Sequence, residues 1–362
     1  MDDQEQLQKT PLYASHLSLN AKMAPFGGWI MPIQYEGILA EHAHTRGAVS
    51  LFDICHMGEF MFEGDAVASG LDRIVTQKIS SMPLSSCRYG FMLNRRGGVI
   101  DDLIVYRIKE RSWMLVVNAA TIAGDEANIL ANLRGEYKFD NVSSRLGKLD
   151  LQGPRSGEVI TKVFGPGPAD LGYYRFGEFT LWGQRCIISC SGYTGELGYE
   201  IYISNDYVVK LWNLLLSEPD VKPAGLGCRD TLRLEMGYPL YGHDLDTAHS
   251  PVSAGLDKFV DFSKDFIGKG ALLEEQKNGP KERLVYFKAG SRRSPRNGFG
   301  IFAAGARVGT VTSGSFSPSL SAGIGMGYVS SSGCRLGTAA DVGQDKPEIP
   351  VTFVRKPFYS KT

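Results

Sequence analysis

The sequence predicts an α+β protein whose last third forms a separate all-β module. The first two thirds mix strand and helix patterns, without the regular βα alternation of a doubly wound fold. Beyond about Gly242, a linker helix is followed by short strands with Gly and Ser turns, such as ARVGTVTSGSFSP and EIPVTFVRKPF. The 43 glycines are well above the usual share of about 7%, which indicates many tight turns or backbone close to a ligand.

The predicted elements follow in order along the first two thirds. EGILAEHAHTRGAVSLF predicts a helix that ends near Gly47, HMGEFMFEG a strand and DAVASGLDRIVTQ a helix. From Cys87, alternating apolar residues predict hairpin strands, and TIAGDEANILANLR a helix that Gly135 closes. The remaining strands are predicted at GKLDLQGP, EFTLWG, QRCIISCSG and YEIYI, and the helices at RSGEVITKVF, DYVVKLWNLLLSE and CRDTLRLEMG.

Charge and hydropathy restrict the classes of partner. The 39 basic residues equal the 39 acidic ones, so we expect no nucleic-acid partner and no membrane surface, since both require concentrated positive charge. No apolar run approaches the length that spans a bilayer. The polar start, MDDQEQLQKT, is unlike a secretory signal or a transit peptide. We expect a soluble cytoplasmic protein, or a mitochondrial matrix protein if this is a eukaryotic mature form.

Cysteine and histidine spacing predicts no metal site. None of the six cysteines forms a C-x-x-C pair, and without a secretory signal we expect reduced thiols. His42 and His44 are two residues apart and would not share a helix face. There is no H-E-x-x-H motif, nucleophile elbow, Walker loop or dinucleotide fingerprint. We therefore expect neither a metal nor a flavin.

Two adjacent acids interrupt the predicted strand VIDDLIVYRI. By alternation, Asp101 shares a face with Val99 and Arg107 beside the Gly97–Gly98 turn, so it is expected to reach water or turn amides. Asp102 falls on the face of Ile100, Ile104, Tyr106 and Ile108. A carboxylate there needs a fixed partner or a pocket that uses it. On this strand alone, a structural role, with Asp102 satisfied by turn amides or by an Arg such as Arg88, is as well supported as a functional one.

Two further segments favour a ligand site. In SGYTGELGYEIYI, Glu200 starts a strand, where its carboxylate could accept two parallel N–H bonds from an amidine-like ligand edge. An ordinary Gly-rich hairpin is the alternative. In AGLGCRDTLRLE, Arg229 is predicted just ahead of a short helix, where it could hold a carboxylate bidentately. An ion pair with Asp230 or Glu235 is the alternative.

A set of segments covering nearly the whole chain resembles one family. In order these are TPLY…FGGWIMPIQY, LFDICHMGEF, NRRGGVIDDLIVY, VVNAA, LQGP, SGYTGELGYE, PAGLGCRDTLRLE, YGHDLD and SGSFSPSL. They resemble the aminomethyltransferases, the T-proteins of the glycine cleavage system. The resemblance implies transfer of a one-carbon unit from the S-aminomethyldihydrolipoyl arm of H-protein to tetrahydrofolate. The products are ammonia, 5,10-methylenetetrahydrofolate and the free dithiol arm.

The resemblance also implies a three-domain cloverleaf around a central folate channel. Residues 1–52 and 140–242 would form a discontinuous folate-binding α+β domain. Residues 53–139 would form a second α+β domain that carries the catalytic acid. Residues 243–362 would supply a linker helix and a C-terminal β-barrel or jelly-roll-like domain. The partner would be lipoylated H-protein, and tetrahydrofolate would be a co-substrate.

Individual residues carry over from the family motifs. The family's catalytic acid stands directly before Leu in GGVIDDL, which is Asp102 here; it would hydrogen-bond near N10 of the folate and stabilise the cation formed as ammonia leaves. The implied folate contacts are the pterin-binding Glu200, Arg229, Tyr89, Met57, Asn118, Tyr193 and the C-terminal aromatic Tyr359. Cys55 stands where the family usually has Ser, and His243 where it usually has Gln.

Other functions on related scaffolds remain as alternatives. One is a different tetrahydrofolate-dependent demethylase or methyltransferase. Another is a folate-binding accessory protein for iron–sulfur assembly, but SGYTGELGYE lacks the Cys of the comparable stretch in those relatives. We do not expect an oxidoreductase of dimethylglycine or sarcosine, because those relatives carry an added flavin domain, for which we expect no room here, and the sequence shows no dinucleotide motif. A chain whose acids are structural and which merely binds a ligand is the simplest alternative.

Overall fold

A computed structural model describes residues 7–333 and 335–360, which divide into two compact units. The first unit contains the chain up to Asp72, then Lys78–Tyr89 and Leu103–Asp230. The second contains Arg73–Gln77, Gly90–Asp102 and the chain from Thr231 onward. The division into three domains at the boundaries expected above stays a prediction.

Helices are short throughout the described chain. They are α1 (Tyr13–Ser18), α2 (Ile38–Gly47), α3 (Leu71–Ile74), α4 (Ile122–Asn132), α5 (Ser156–Phe164), α6 (Asn205–Leu216), α7 (Leu226–Glu235) and α8 (Lys269–Asn278). In the part of the chain that the structure describes, none of them is long and apolar enough to span a membrane.

More residues of the described chain lie in β-strands than in these helices. The strands are β1 (Lys22–Phe26), β2 (Trp29–Gln34), β3 (Val49–Asp53), β4 (Gly58–Gly64), β5 (Ser86–Leu93), β6 (Val99–Lys109), β7 (Ser112–Val117), β8 (Tyr137–Asn141), β9 (Leu146–Gln152), β10 (Phe176–Leu181), β11 (Gln184–Cys190), β12 (Gly198–Ser204), β13 (Val221–Pro223), β14 (Glu282–Ala289), β15 (Gly300–Ala303), β16 (Ala306–Ser317), β17 (Ala322–Ser330), β18 (Ala339–Gly343) and β19 (Ile349–Val354).

A six-stranded sheet of order β10-β11-β12-β9-β3-β13 forms the centre of the first unit. Its pairings are antiparallel except for β13 with β3, which is parallel. One face of the sheet is apolar and packs against α5 and α6, with Ile201, Leu149 and Trp212 in the same buried cluster. Burial of this face against two amphipathic helices supplies the main core of the unit.

A five-stranded sheet of order β5-β6-β7-β4-β8 carries the hairpins predicted after Cys87. The portions Ser86–Tyr89 of β5 and Leu103–Lys109 of β6 belong to the first unit. There, Tyr106, Met114 and Val116 pack in a second buried cluster with Ile187 and Tyr202 of the six-stranded sheet. The second sheet therefore covers part of the face that α5 and α6 leave open.

The last third of the chain forms a closed antiparallel barrel of order β14-β17-β16-β15-β18-β19, which β14 and β19 complete by pairing. Closure leaves no unpaired strand edge. Glycine permits close packing inside it, since a Cβ on Gly325 would lie 2.5 Å from the ring of Phe287. The predicted α+β class with an all-β C-terminal module is confirmed.

The helix predicted at DAVASGLDRIVTQ is wrong for most of its length, because only Leu71–Ile74 is helical. A carboxylate oxygen of Asp65 accepts hydrogen bonds from the backbone N–H groups of Val67 and Ala68, at 2.9 and 2.8 Å. Gly70 then adopts a φ of +82°. The local side-chain bonds and the left-handed glycine hold a turn here instead of a helix.

Candidate active site

The face of the six-stranded sheet opposite the apolar core is polar, yet it is buried. In the strand register, Glu200 lies opposite Asp150 and Ser189, and Tyr202 lies opposite Lys148. Because residues opposite each other in register share a face, these five side chains form one layer. All five are buried. Buried charges of this kind must be compensated within the protein.

Glu200 is held by an ion pair with Lys148. The Lys148 Nζ lies 3.0 Å from Glu200 Oε1, and the side chains are only 1% and 5% exposed. Glu200 Oε2 accepts hydrogen bonds from Ser191 Oγ at 2.8 Å and Tyr106 OH at 3.3 Å. Burial by itself would raise the pKa of Glu200, but Lys148 and the Ser191 hydroxyl hold that pKa below its ordinary value. The carboxylate is therefore ionised at neutral pH.

The bonds already made by Glu200 limit how it can receive a ligand. A carboxylate offers about four acceptor sites, and Lys148, Ser191 and Tyr106 occupy three of them. One site on Oε1 is left for a further N–H donor. The two parallel bonds expected from the sequence would require Tyr106 to release Oε2, and the bond from Tyr106 is the longest of the three. As it stands in the structure, Glu200 can accept one hydrogen bond from a ligand N–H group.

Arg229 is held by a second ion pair in the same layer. Its Nη1 donates to Asp150 Oδ2, and its guanidinium lies 5.0 Å from the centre of the Tyr193 ring. Burial raises the pKa of Asp150 to about 6, although Arg229 opposes that shift. Arg229 lies inside α7 and not ahead of it, so the predicted position was wrong by one helical turn. The partner we find is Asp150, which the sequence did not suggest.

Glu59 and His56 adjoin this layer and were missed by sequence reasoning. Glu59, on β4, is almost fully buried, and burial raises its pKa to about 8, with Lys148 opposing and Glu200 reinforcing the shift. Burial lowers the pKa of His56 to about 4. Glu59 Oε1 and His56 Nδ1 find no hydrogen-bond partner within residues 7–333 and 335–360. An acid within the apolar strand HMGEFMFEG was the available signal for Glu59.

The burial of Asp101 and Asp102 is the reverse of the prediction. Asp101 is fully buried, whereas Asp102 is half-buried. Val99, Leu103 and Val105 on the Asp101 face are also buried. On the Asp102 face, Ile100 and Ile104 are half-buried, whereas Tyr106 and Ile108 farther along the strand are buried. Both faces of β6 are apolar and both pack against protein along part of the strand, so composition did not reveal how well each acid is covered. Of the two acids, Asp102 is the more exposed.

The other predicted site residues are spread over both units. In the first unit, Met57 Sδ lies 3.5 Å from Lys148 Nζ, so the structure brings Met57, Glu200, Arg229 and Tyr193 into one region. Tyr89 lies on β5 and Asn118 directly follows β7, both half-buried. In the second unit, the backbone N–H of the half-buried Tyr359 donates to the carbonyl of Glu235 at 3.1 Å. Asp102 also belongs to the second unit.

The two departures from the family motifs have different surroundings. Cys55 Sγ donates to the carbonyl of Lys148 at 3.4 Å and accepts from its N–H at 3.3 Å, so the thiol ties to β9 beside the Lys148–Glu200 pair. His243 is exposed, and its Nδ1 lies 2.9 Å from Asn297 Nδ2. All five described cysteines are buried free thiols, and Cys334 lies outside the described residues.

Comparison with known proteins gives matches along almost all of the chain. Residues 12–264 match the family model of the GCVT N-terminal domain, and residues 282–360 match that of the glycine cleavage T-protein C-terminal barrel domain. An aminomethyltransferase of Caldanaerobacter subterraneus is 40% identical over 99% of this chain and 98% of its own length. One from Halothermothrix orenii is 44% identical over 89% of this chain and 92% of its own.

A solved structure gives the same result at the level of the fold. The crystal structure of the glycine cleavage system aminomethyltransferase T from Bartonella henselae superposes with a TM-score of 0.92. The superposition covers 98% of each chain at 33% sequence identity. The similarity therefore extends through both the N-terminal part and the barrel.

Proposed function

The chain belongs to the aminomethyltransferase family, the T-proteins of the glycine cleavage system, and we propose that it carries out their reaction with Asp102 as the catalytic acid. In this reaction the one-carbon unit on the S-aminomethyldihydrolipoyl arm of H-protein passes to tetrahydrofolate, ammonia is released, and the arm is left as the free dithiol. Family membership over nearly the whole length of the chain is the observation that carries this proposal.

Glu200 and Arg229 are proposed as the main folate contacts. Glu200 offers an ionised oxygen to the N–H groups of the pterin, and Arg229 offers a guanidinium supported by Asp150 and Tyr193. An Arg fixed on one side by a carboxylate and on its face by an aromatic ring keeps its remaining donors in one orientation. Met57, Tyr89, Asn118, Tyr193 and Tyr359 are proposed as further channel residues.

Asp102 is proposed to stabilise positive charge at the carbon as ammonia leaves. Tetrahydrofolate supplies the nitrogen that accepts this carbon. The protein has to supply orientation and a negative group that is already in place when the charge develops. Asp102 suits that role because a half-buried carboxylate is open to substrate yet less screened than one in bulk water.

Ammonia release from aminomethylated, lipoylated H-protein tests the function. We expect release that depends on tetrahydrofolate and forms 5,10-methylenetetrahydrofolate in equal amount. A protein that binds tetrahydrofolate but releases no ammonia, and instead demethylates a small methylated compound, would belong to the alternative class of folate-dependent transferases. The same preparation assayed without tetrahydrofolate is the control for spontaneous breakdown of the aminomethyl adduct.

A further inference from the structure

We propose that Lys148 and Asp150, two residues apart on β9, are positioning residues that fix Glu200 and Arg229 in the orientation used to bind folate. The inference rests on the proposed function and deepens it, because it adds two residues that act through the predicted folate contacts. Neither residue was indicated by the sequence motifs.

One face of β9 reaches both of the main predicted ligand contacts. Lys148 and Asp150 point to the same side of the strand, opposite Tyr202 and Glu200 of β12. The Lys148 ammonium bonds to Glu200 Oε1, and the Asp150 carboxylate accepts from Arg229. One strand thus offers one cation and one anion, and each is paired with a predicted ligand contact of opposite charge.

The two ion pairs prevent repulsion between neighbouring buried carboxylates. Glu200 and Asp150 are directly opposite each other on neighbouring strands, an arrangement that is unfavourable for two uncompensated carboxylates. A separate cation for each acid removes the repulsion. Without Lys148, Arg229 would be the cation left in the layer to compensate the buried charge of Glu200. Arg229 would then be attracted towards Glu200 and away from its position against Tyr193.

Lys148 and Asp150 are less accessible than the two residues that they hold. The side chains of Lys148 and Asp150 are 1% and 0% exposed, whereas those of Glu200 and Arg229 are 5% and 15% exposed. Lys148 is also covered by Met57, whose Sδ lies 3.5 Å from Nζ. These two β9 residues therefore act on folate through their partners and not by contact, which separates a positioning role from a binding role.

Folate binding by Lys148→Met and Asp150→Asn tests the proposal. Both variants remove a charge at nearly constant volume, and their matched surface controls are Lys222→Met and Asp140→Asn, which break exposed ion pairs with Glu36 and Arg145. We expect each β9 variant to raise the tetrahydrofolate Kd and KM by about tenfold, in the range of a lost charge-assisted hydrogen bond. We expect kcat to change by less than about threefold, and both controls to match the wild type.

A double-mutant cycle distinguishes positioning from a general loss of structure. If Lys148 acts through Glu200, Lys148→Met in a Glu200→Gln background causes no further rise in Kd. A full additional loss in that background, or a wild-type Kd in folded Lys148→Met, would overturn the proposal. Lys148→Gln covers the case in which the Met variant does not fold, and it is expected to weaken binding at least about threefold; an unchanged Kd there contradicts the proposal equally.

The wild-type protein separates this inference from the proposed function. Absence of tetrahydrofolate binding and of ammonia release by the wild type would contradict the proposed function. Normal wild-type binding and turnover, together with β9 variants that behave as the surface controls do, would contradict only the positioning role.

Discussion

Asp101 and Asp102 are adjacent on β6, yet Asp101 is fully buried and Asp102 is half-buried. Substitution of each carboxylate is therefore expected to affect a different property of the protein, either its turnover or its stability. We expect Asp102→Asn to lower kcat by about 100-fold or more, as for other preorganised electrostatic groups, with little change in tetrahydrofolate Kd or in thermal stability. Steady-state ammonia release and equilibrium folate binding measure both effects.

Asp101→Asn is the matched control for that variant, because it makes the same change one residue away. We expect Asp101→Asn to lower the midpoint of thermal unfolding, since it alters a fully buried group. We expect it to lower kcat less than Asp102→Asn does. A turnover of Asp102→Asn equal to that of the wild type would remove Asp102 from the catalytic role.

Arg229 combines a buried carboxylate partner with an aromatic neighbour, and lysine can reproduce only its charge. We expect Arg229→Lys to raise the tetrahydrofolate Kd by about tenfold, because the planar fork that meets Asp150 and stacks on Tyr193 is lost. Isothermal titration under anaerobic conditions gives the Kd. The exposed Arg155, paired with Glu158 and Asp220, provides the control Arg155→Lys, and equal Kd values for the two variants would contradict the assignment.

Cys55 holds β9 through its side chain, and the structure explains why a serine would serve there. We expect Cys55→Ser to change the free energy of unfolding by less than about 1 kcal/mol, because a hydroxyl can also bond to the Lys148 backbone. Cys55→Ala leaves the Lys148 carbonyl with its bond from the Ile54 N–H at 3.2 Å, but it takes the sulfur acceptor from the Lys148 N–H and is expected to cost about 1–3 kcal/mol. Urea unfolding of both variants checks the order, and a less stable Ser variant would contradict it.

Local patterns were sufficient for much of the fold. The alternation in VIDDLIVYRI and YEIYI correctly predicted β6 and β12 and the strand position of Glu200. The shift to short Gly-rich strands predicted a separate all-β module at the C-terminal end, and the structure shows that this module is a closed barrel. These features depend on neighbours in sequence, where the side-chain period and turn residues carry the information.

Features that depend on distant neighbours could not be predicted in the same way. The Lys148–Glu200 pair requires the register of β9 against β12, which no local pattern specifies. The full burial of Asp101 depends on what covers the start of β6, and both faces of this strand are apolar in sequence. The raised pKa of Glu59 likewise follows from burial, which becomes known only when β4 is packed.

Glu59 makes the stability of the protein depend on pH in a predictable direction. Its pKa rises from 4.5 to about 8 on folding, so the folded protein keeps a proton that the unfolded chain loses. This contribution to stability is fully present below pH 4.5 and is lost as pH rises through about 8. Glu59→Gln is neutral at every pH, so its stability relative to the wild type should rise by a few kcal/mol, on the order of 1.4 kcal/mol per pKa unit, between pH 5 and about 8.

Comparison of variant and wild type at each pH isolates Glu59 from His56. The pKa of His56 falls from 6.5 to about 4 on folding, so its contribution is lost as pH falls through that range, opposite in sign to that of Glu59. It is common to both proteins and cancels in the difference. Urea unfolding from pH 5 to 9 measures that difference, with Glu63→Gln at the exposed end of β4 as the control. A difference that stays constant over this range would mean that Glu59 is ionised in the folded protein, and the buried layer would then hold one more negative charge beside Lys148 and Glu200.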